Sequence, residues 1–187
     1  KRFETVSGMK AYRFRYFFPS SLERLCYEAG ILPNMKRSIL ARLQLPFLVV
    51  AEFFSLWRVV GRERPDIIHA HWILPQGFTA AVIGKLLGIP VVVTAHAGDV
   101  FPLNKSLFRM FLRFSINSAA AVTVNSSYTK AAVEKLTAKK ASVIPMGVNI
   151  SLFSSPSVSA ATAIKRKYSI KGKMLLFVGR LAEKKGV

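Results

Sequence analysis

From Pro65 onward the sequence keeps one rhythm: a short run rich in Val and Ile, a turn residue, then an apolar-periodic stretch long enough for a helix. DIIHAH (66–71), PVVVTAH (90–96), AAVTVN (120–125) and ASVIP (141–145) read as strands. GFTAAVIGKLLG (77–88), LNKSLFRMFLRFSINS (103–118) and SSYTKAAVEKLTA (126–138) read as the helices between them. Antiparallel neighbours need only a tight turn, whereas parallel strands need a crossover of about a dozen residues, usually helical. Near-continuous apolar strands are those of a sheet buried between layers. The pattern therefore predicts βαβ units and an α/β fold, a Rossmann-like parallel sheet with helices on both faces. Gly88 is placed to stop the first helix, and Ser126 or Ser127 to cap the last.

Upstream the pattern is looser. AYRFRYFF (11–18) alternates, with Tyr12, Phe14, Tyr16 and Phe18 on one face and Arg13 and Arg15 on the other, which predicts a strand. Ser20 with Glu23 resembles a capping box opening a short helix that Gly30 would end. Residues 34–60 read as a longer helical region broken near Pro46. Its most apolar part, 45–60, contains Pro46, Glu52 and Arg58. The uninterrupted apolar runs fall short of the ~20 residues that span a bilayer, so no transmembrane helix is expected. No signal-peptide pattern follows Lys1. The single cysteine, Cys26, excludes an internal disulfide, suits a reducing cytosol and is expected in packing rather than as a nucleophile.

Past Gly147 the composition shifts: SSPSVSAATA (154–163) is small and polar, IKRKYSIKGK (164–173) is basic, and KMLLFVG (173–179) reads as a new strand. The expected organisation is one domain over 1–153, a linker or crossing over 154–172, and the start of a second domain at 173–187. With 51% hydrophobic and 20% charged residues the chain can bury a real core and is not disordered. The 28 Lys and Arg against 9 Asp and Glu, a formal charge of +19, favour an anionic partner: a phosphate-bearing small molecule, an acidic lipid surface or nucleic acid. The aromatics of 12–18 lie opposite the arginines rather than among them, and no RNP-like pattern occurs. Nucleic acid is not expected.

In a parallel sheet, ligands bind beyond the carboxyl ends of the strands. The polar residues just past each predicted strand are His69, His71 and Trp72; His96 and Asp99; Asn125 and Ser126; Met146, Gly147 and Asn149; and, at the end, Arg180 and Lys185. His69 and His71 share a face and would suit a metal, but no third ligand stands at a suitable spacing. No metal site is expected. Asn125 and Ser126 most simply end a strand and cap a helix.

PDIIHAHWILPQG (65–77), VVVTAHAGDV (91–100), VTVNSSYTK (122–130), VIPMGVN (143–149) and FVGRLAEKKG (177–186) together resemble family 4 glycosyltransferases of GT-B architecture. In those enzymes two Rossmann-like domains face across a cleft. The resemblance implies retaining transfer of a sugar from a nucleotide-diphosphate donor to a hydroxyl acceptor, such as a glycan, polysaccharide or glycolipid precursor. It implies no cofactor and no metal requirement. By the same resemblance His96 points into the cleft as the catalytic residue, and Arg180 and Lys185 grip the donor diphosphate. His71 and Trp72 line the acceptor side, with Asn125 and Gly147 also at the cleft and His69 structural. Asp99 either orients the loop or acceptor hydroxyls, or caps the following turn.

The implied partners are a nucleotide sugar and an acceptor that is lipid-linked in many family members, with peripheral contact to a membrane. The implied location is cytoplasmic, on the inner face of the membrane. As the middle of a two-domain enzyme, the chain alone is expected to be inactive. Competing readings are a basic membrane- or nucleic-acid-binding module, or another GT-B enzyme such as a sugar epimerase or phosphorylase.

Overall fold

Ser7 and Gly8 both take positive φ (50° and 80°), the backbone of a tight hairpin turn. They join β1 (Phe3–Val6) to β2 (Met9–Tyr12) in an antiparallel pair, with Val6 opposite Met9. In this computed structural model, residues 3–27, 30–101, 106–154 and 157–179 are described. The chain divides into two units, Lys1–Met146 and Gly147–Val187.

The strand expected over 11–18 ends at Tyr12. Beyond it the N–H groups of Tyr16 and Phe17 donate to Glu23 Oε1 (2.9 and 3.2 Å), so a side chain takes donors that a neighbouring strand would have used. Glu23 is therefore not available for a capping box. Ser20–Leu22 forms a single 3₁₀ turn without a side-chain cap. Gly30 does not close a helix either; it precedes α1 (Ile31–Arg37). Cys26 is exposed rather than packed, because it alternates with the fully buried Leu25.

Ser38 caps α2 (Ile39–Glu63), its hydroxyl accepting from Ala41 N–H. The helix runs unbroken through Pro46. The carbonyl deprived of its N–H partner is that of Arg42, an exposed residue, so water can satisfy it. One face of α2 is committed to packing: Ala41, Gln44, Leu48, Glu52 and Val60 are buried. Gln44 is hydrogen-bonded through both amide atoms there, accepting from Arg24 and Leu25 N–H (3.0 and 3.3 Å) and donating to Leu22 O (2.7 Å). The opposite face presents Ile39, Leu43, Phe47, Val50, Phe54 and Trp57, all exposed. By length and composition α2 is long and apolar enough to cross a membrane, contrary to the reading of 45–60 from its interrupted runs. Continuity past Pro46 supplies the length.

The remaining elements of this unit follow the predicted rhythm: β3 (Ile68–His71), α3 (Phe78–Leu87), β4 (Val91–Ala95), α4 (Ser106–Ser118), β5 (Ala121–Val124), α5 (Ser127–Leu136) and β6 (Ser142–Val143). They form a four-stranded parallel sheet in the order β3-β4-β5-β6. The order never reverses, so right-handed crossovers bring α3, α4 and α5 to the same face. There Ile68, Ala70, Val91, Val93, Val122 and Val124 pack with Ala80, Ile83, Leu112, Ile116, Val133 and Leu136. At about 25 cal/mol per Å² of apolar surface, each of the Val, Leu and Ile side chains contributes ~1.5–3 kcal/mol, and this layer is what holds the unit together. Gly84 permits the closest approach, since a Cβ there would stand 2.3 Å from Val91 Cγ2 and 2.7 Å from Ile89 O.

Helices on both faces belong to a complete doubly wound sheet. Among the described residues the crossover helices share one face, and the other carries His69, His71, Thr94 and Thr123 in adjacent strands. That polar face is where the site lies.

In the second unit Asn149 caps the short α6 (Ile150–Phe153), and Ser157 caps α7 (Val158–Lys167). The stretch read as a linker thus holds a helix, with Lys165, Arg166 and Lys167 in its last turn, where cations suit the helix dipole. Residues 173–178 form no ladder among the described residues, and Leu175 is fully exposed. An apolar run becomes a strand only where a neighbour takes its backbone groups. The unit boundary falls after Met146, next to the composition shift and before the domain end expected at 153; the last sheet hydrogen bond among the described residues is Ile144 N–H to Val124 O (2.8 Å).

Candidate active site

Past the carboxyl end of β3 the chain turns sharply at Trp72, whose φ is +79°. Such a conformation costs a bulky residue ~1–3 kcal/mol and persists only when its surroundings fix it. Here Trp72 N–H donates to Thr94 O and Trp72 O accepts from Gly77 N–H, both at 2.9 Å. Past the end of β4, Ala97 also has positive φ (59°), and Gly98 lies against the Trp72 ring, where a Cβ would come within 3.4 Å of it.

Asp99 ties these two strand ends together. It is completely buried; Oδ2 accepts from Ile73 N–H (2.6 Å) and Oδ1 from His96 N–H (2.9 Å). Both oxygens are thus engaged with backbone, one on each loop. Of the roles left open by sequence, the geometry is that of orienting the loop.

The result is a cluster of rings on the polar face. His71 Nδ1 and His96 Nε2 are 2.9 Å apart, with the rings stacked at 5.2 Å. Trp72 stands 6.2 Å from His96 and is 44% exposed, so the cluster opens to solvent. His69 lies 4.5 Å from His71, and its Nε2 is 2.7 Å from Thr94 Oγ1, which in turn bonds Thr123 Oγ1 (2.6 Å). Burial first, then the charges of His71 and His96, lower the His69 pKa. The histidine–threonine row was not singled out in sequence, although Thr94 and Thr123 share the alternation that puts both histidines on that face.

Asn125 sits at the entry of α5, its Oδ1 accepting from Thr129 Oγ1 (3.1 Å), while Ser126 caps that helix through Thr129 N–H (3.2 Å). Gly147 belongs to the second unit, next to the capping Asn149. Arg180 and Lys185 lie outside the described residues. Among the described residues no three His, Cys, Asp or Glu side chains are arranged to hold a metal ion. The structure therefore brings together His69, His71, Trp72, His96 and Asp99.

A parallel α/β sheet with an open cluster of imidazole and indole rings at its strand ends has the Rossmann-like arrangement, a fold whose ligands bind beyond the carboxyl ends of the strands. Residues 10–152 match the family described as Glycosyltransferase Family 4, and the chain belongs to that family. A Bacillus subtilis (strain 168) protein named as a teichuronic acid biosynthesis glycosyltransferase, TuaC, is 34% identical over 127 residues, 66% of this chain and 32% of the relative. An uncharacterized glycosyltransferase of Methanocaldococcus jannaschii, MJ1178, is 30% identical over 92 residues, 49% of this chain and 26% of that protein. The matched part thus spans about a third or less of either relative's length. Among solved structures, sucrose-phosphate synthase from Thermosynechococcus elongatus superposes with a TM-score of 0.53 at 15% identity, covering 90% of this chain and 79% of that one. That likeness concerns the fold, which is the GT-B one.

Proposed function

We propose that the protein containing this chain transfers a sugar, with retention of configuration, from a nucleotide-diphosphate donor to a hydroxyl acceptor. The observation that carries the reading is the His71–Trp72–His96 cluster at the strand ends of a family 4 chain. Rings of this kind stack on a sugar face and hydrogen-bond its hydroxyls. Asp99, the acidic residue that ties the cluster's two loops, is buried with both oxygens engaged, so it does not serve as a carboxylate nucleophile of the glycosidase type. This supports a same-face reaction in which the departing phosphate helps deprotonate the incoming hydroxyl. Arg180 and Lys185 would then stabilise charge on the leaving nucleotide.

The test is kinetic, in the whole protein. His96→Ala, Arg180→Ala and Lys185→Ala should each lower turnover at least about tenfold, or ~1.4 kcal/mol of transition-state stabilisation. UDP, GDP and ADP titrations identify the nucleotide. Wild-type kinetics in all the variants would overturn the reading.

TuaC, by its name, serves teichuronic acid synthesis. By analogy we take the acceptor here to be a growing polysaccharide or its lipid-linked precursor, reached from the cytoplasmic face of the membrane. The outward face of α2 supports peripheral contact: its apolar stripe from Leu43 to Trp57 is interrupted by no charge, and Arg42 and Arg58 flank it. A spanning role suits α2 less well, since Gln44 and Glu52 are built into packing on its other face. Co-sedimentation with anionic vesicles should fall steeply with salt and drop in a Phe54→Asp/Trp57→Asp variant. No binding by the wild type at low salt would remove the idea.

A further inference from the structure

We propose that His71 is a positioning residue that anchors the His96 ring at Nε2 and couples the tautomer of His96 to its own. This rests on the reading of His96 as a sugar-contacting group. The distance of 2.9 Å between His71 Nδ1 and His96 Nε2 requires one N–H and one lone pair between them. Two neutral imidazoles joined in this way have coupled tautomers. If His96 Nε2 donates, its Nδ1 is an acceptor and His71 Nε2 is a donor. If His96 Nε2 accepts, both outward nitrogens exchange roles. In either case the pair presents one donor and one acceptor, and a sugar hydroxyl both donates and accepts.

The backbone on each side of this bond is fixed. His71 lies in register with Thr94 of β4, and the next N–H, that of Trp72, bonds Thr94 O. His96 is pinned through its N–H to the buried Asp99. The His71 ring is confined in turn by His69, which is itself held by the Thr94–Thr123 pair. An imidazole free to flip would spend part of its time with the wrong nitrogen facing the ligand; one anchored at Nε2 does not. His71 thereby acts on the reaction through His96.

The experiment compares His71→Phe, His71→Asn, His96→Ala and the His71→Phe/His96→Ala double variant in the whole protein. Turnover is measured together with NMR of ¹⁵N-labelled histidine, which reads the tautomer of His96. Phe keeps a ring without the bond, and the Asn amide stands where Nδ1 stood. His71→Phe should shift the His96 tautomer ratio and lower kcat about tenfold, with the donor KM within about twofold. His71→Asn should restore kcat to within about threefold of wild type. The double variant should be no slower than His96→Ala, because the two residues act as one unit.

An unchanged tautomer ratio in His71→Phe overturns the proposal, as do multiplicative losses in the double variant. Full turnover in His96→Ala would refute the sugar-contact reading instead, and the NMR result would then decide the positioning role by itself.

Discussion

Asp99→Ala should lower the unfolding free energy by about 2–5 kcal/mol, and, on the proposed function, whole-protein molecules that still fold should transfer sugar at least about tenfold more slowly. The carboxyl group is fully buried and accepts from the N–H groups of Ile73 and His96. Truncation leaves both donors without a partner in a dry site, at roughly 1–3 kcal/mol each. Asp99→Asn should fall between wild type and alanine, because one amide oxygen can still accept while the NH₂ opposes the second donor. Denaturant unfolding, with activity corrected for the folded fraction, separates the two effects. Stability within ~1 kcal/mol of wild type would mean that the loops past β3 and β4 hold their shape without this tie.

The second large effect depends on pH. Glu52 is buried between α2 and α3, with Oε2 lacking a hydrogen-bond partner among the described residues. The nearby Thr79 hydroxyl bonds the Gln76 carbonyl (2.9 Å). Burial pushes the Glu52 pKa from a glutamate's ordinary 4.5 up to about 7, and Thr79 offsets this only in part. The folded state therefore holds the proton more tightly than the unfolded chain does. The stability this contributes is complete below pH 4.5 and is lost as pH rises towards 7. At ~1.4 kcal/mol per pKa unit the loss is on the order of 3 kcal/mol. Glu52→Gln should be more stable than wild type above neutrality, with a difference that vanishes in acid. Denaturant curves for both proteins, taken from acid to alkaline pH, give that difference directly. Parallel pH profiles would show that Glu52 is solvated or paired in solution.

What could be read from the sequence was local. The Val and Ile runs and their helices from β3 to β6 were visible because burial on a sheet and a 3.6-residue period leave their mark within a dozen residues. Gly88 at φ +69° and Ser126 as helix cap were legible for the same reason. The hairpin is hard to read although Ser7-Gly8 carries a turn signal, since strands of four residues give too little alternation. Glu23 and Pro46 behave in the opposite way. Each has a plain local meaning, a cap or a helix break. The first is overridden by the N–H groups of Tyr16 and Phe17, seven and six residues upstream, and the second by an exposed carbonyl.

The site was legible as a set and not as a geometry. Topology predicts that His71, Trp72, His96 and Asp99 gather at the carboxyl ends of their strands, and these four side chains do stand together there. It does not predict that Asp99 faces backbone, or that two imidazoles share a hydrogen bond, because both depend on Trp72 and Ala97 adopting positive φ. Backbone conformations of that kind leave no trace in composition.

The unreversed order of the sheet bears on how the chain acquires its structure. Every strand from β4 to β6 pairs with the strand immediately before it, across a single helical crossover. Among the described strands from β3 to β6, none has to wait for a later one to be inserted at its side. Loop-closure entropy is met in modest instalments rather than in one long-range encounter, a topology of comparatively low contact order for a parallel sheet. During synthesis from the N-terminus each βα unit can dock on its predecessor as soon as it leaves the ribosome. The sheet can grow in the order in which it is translated.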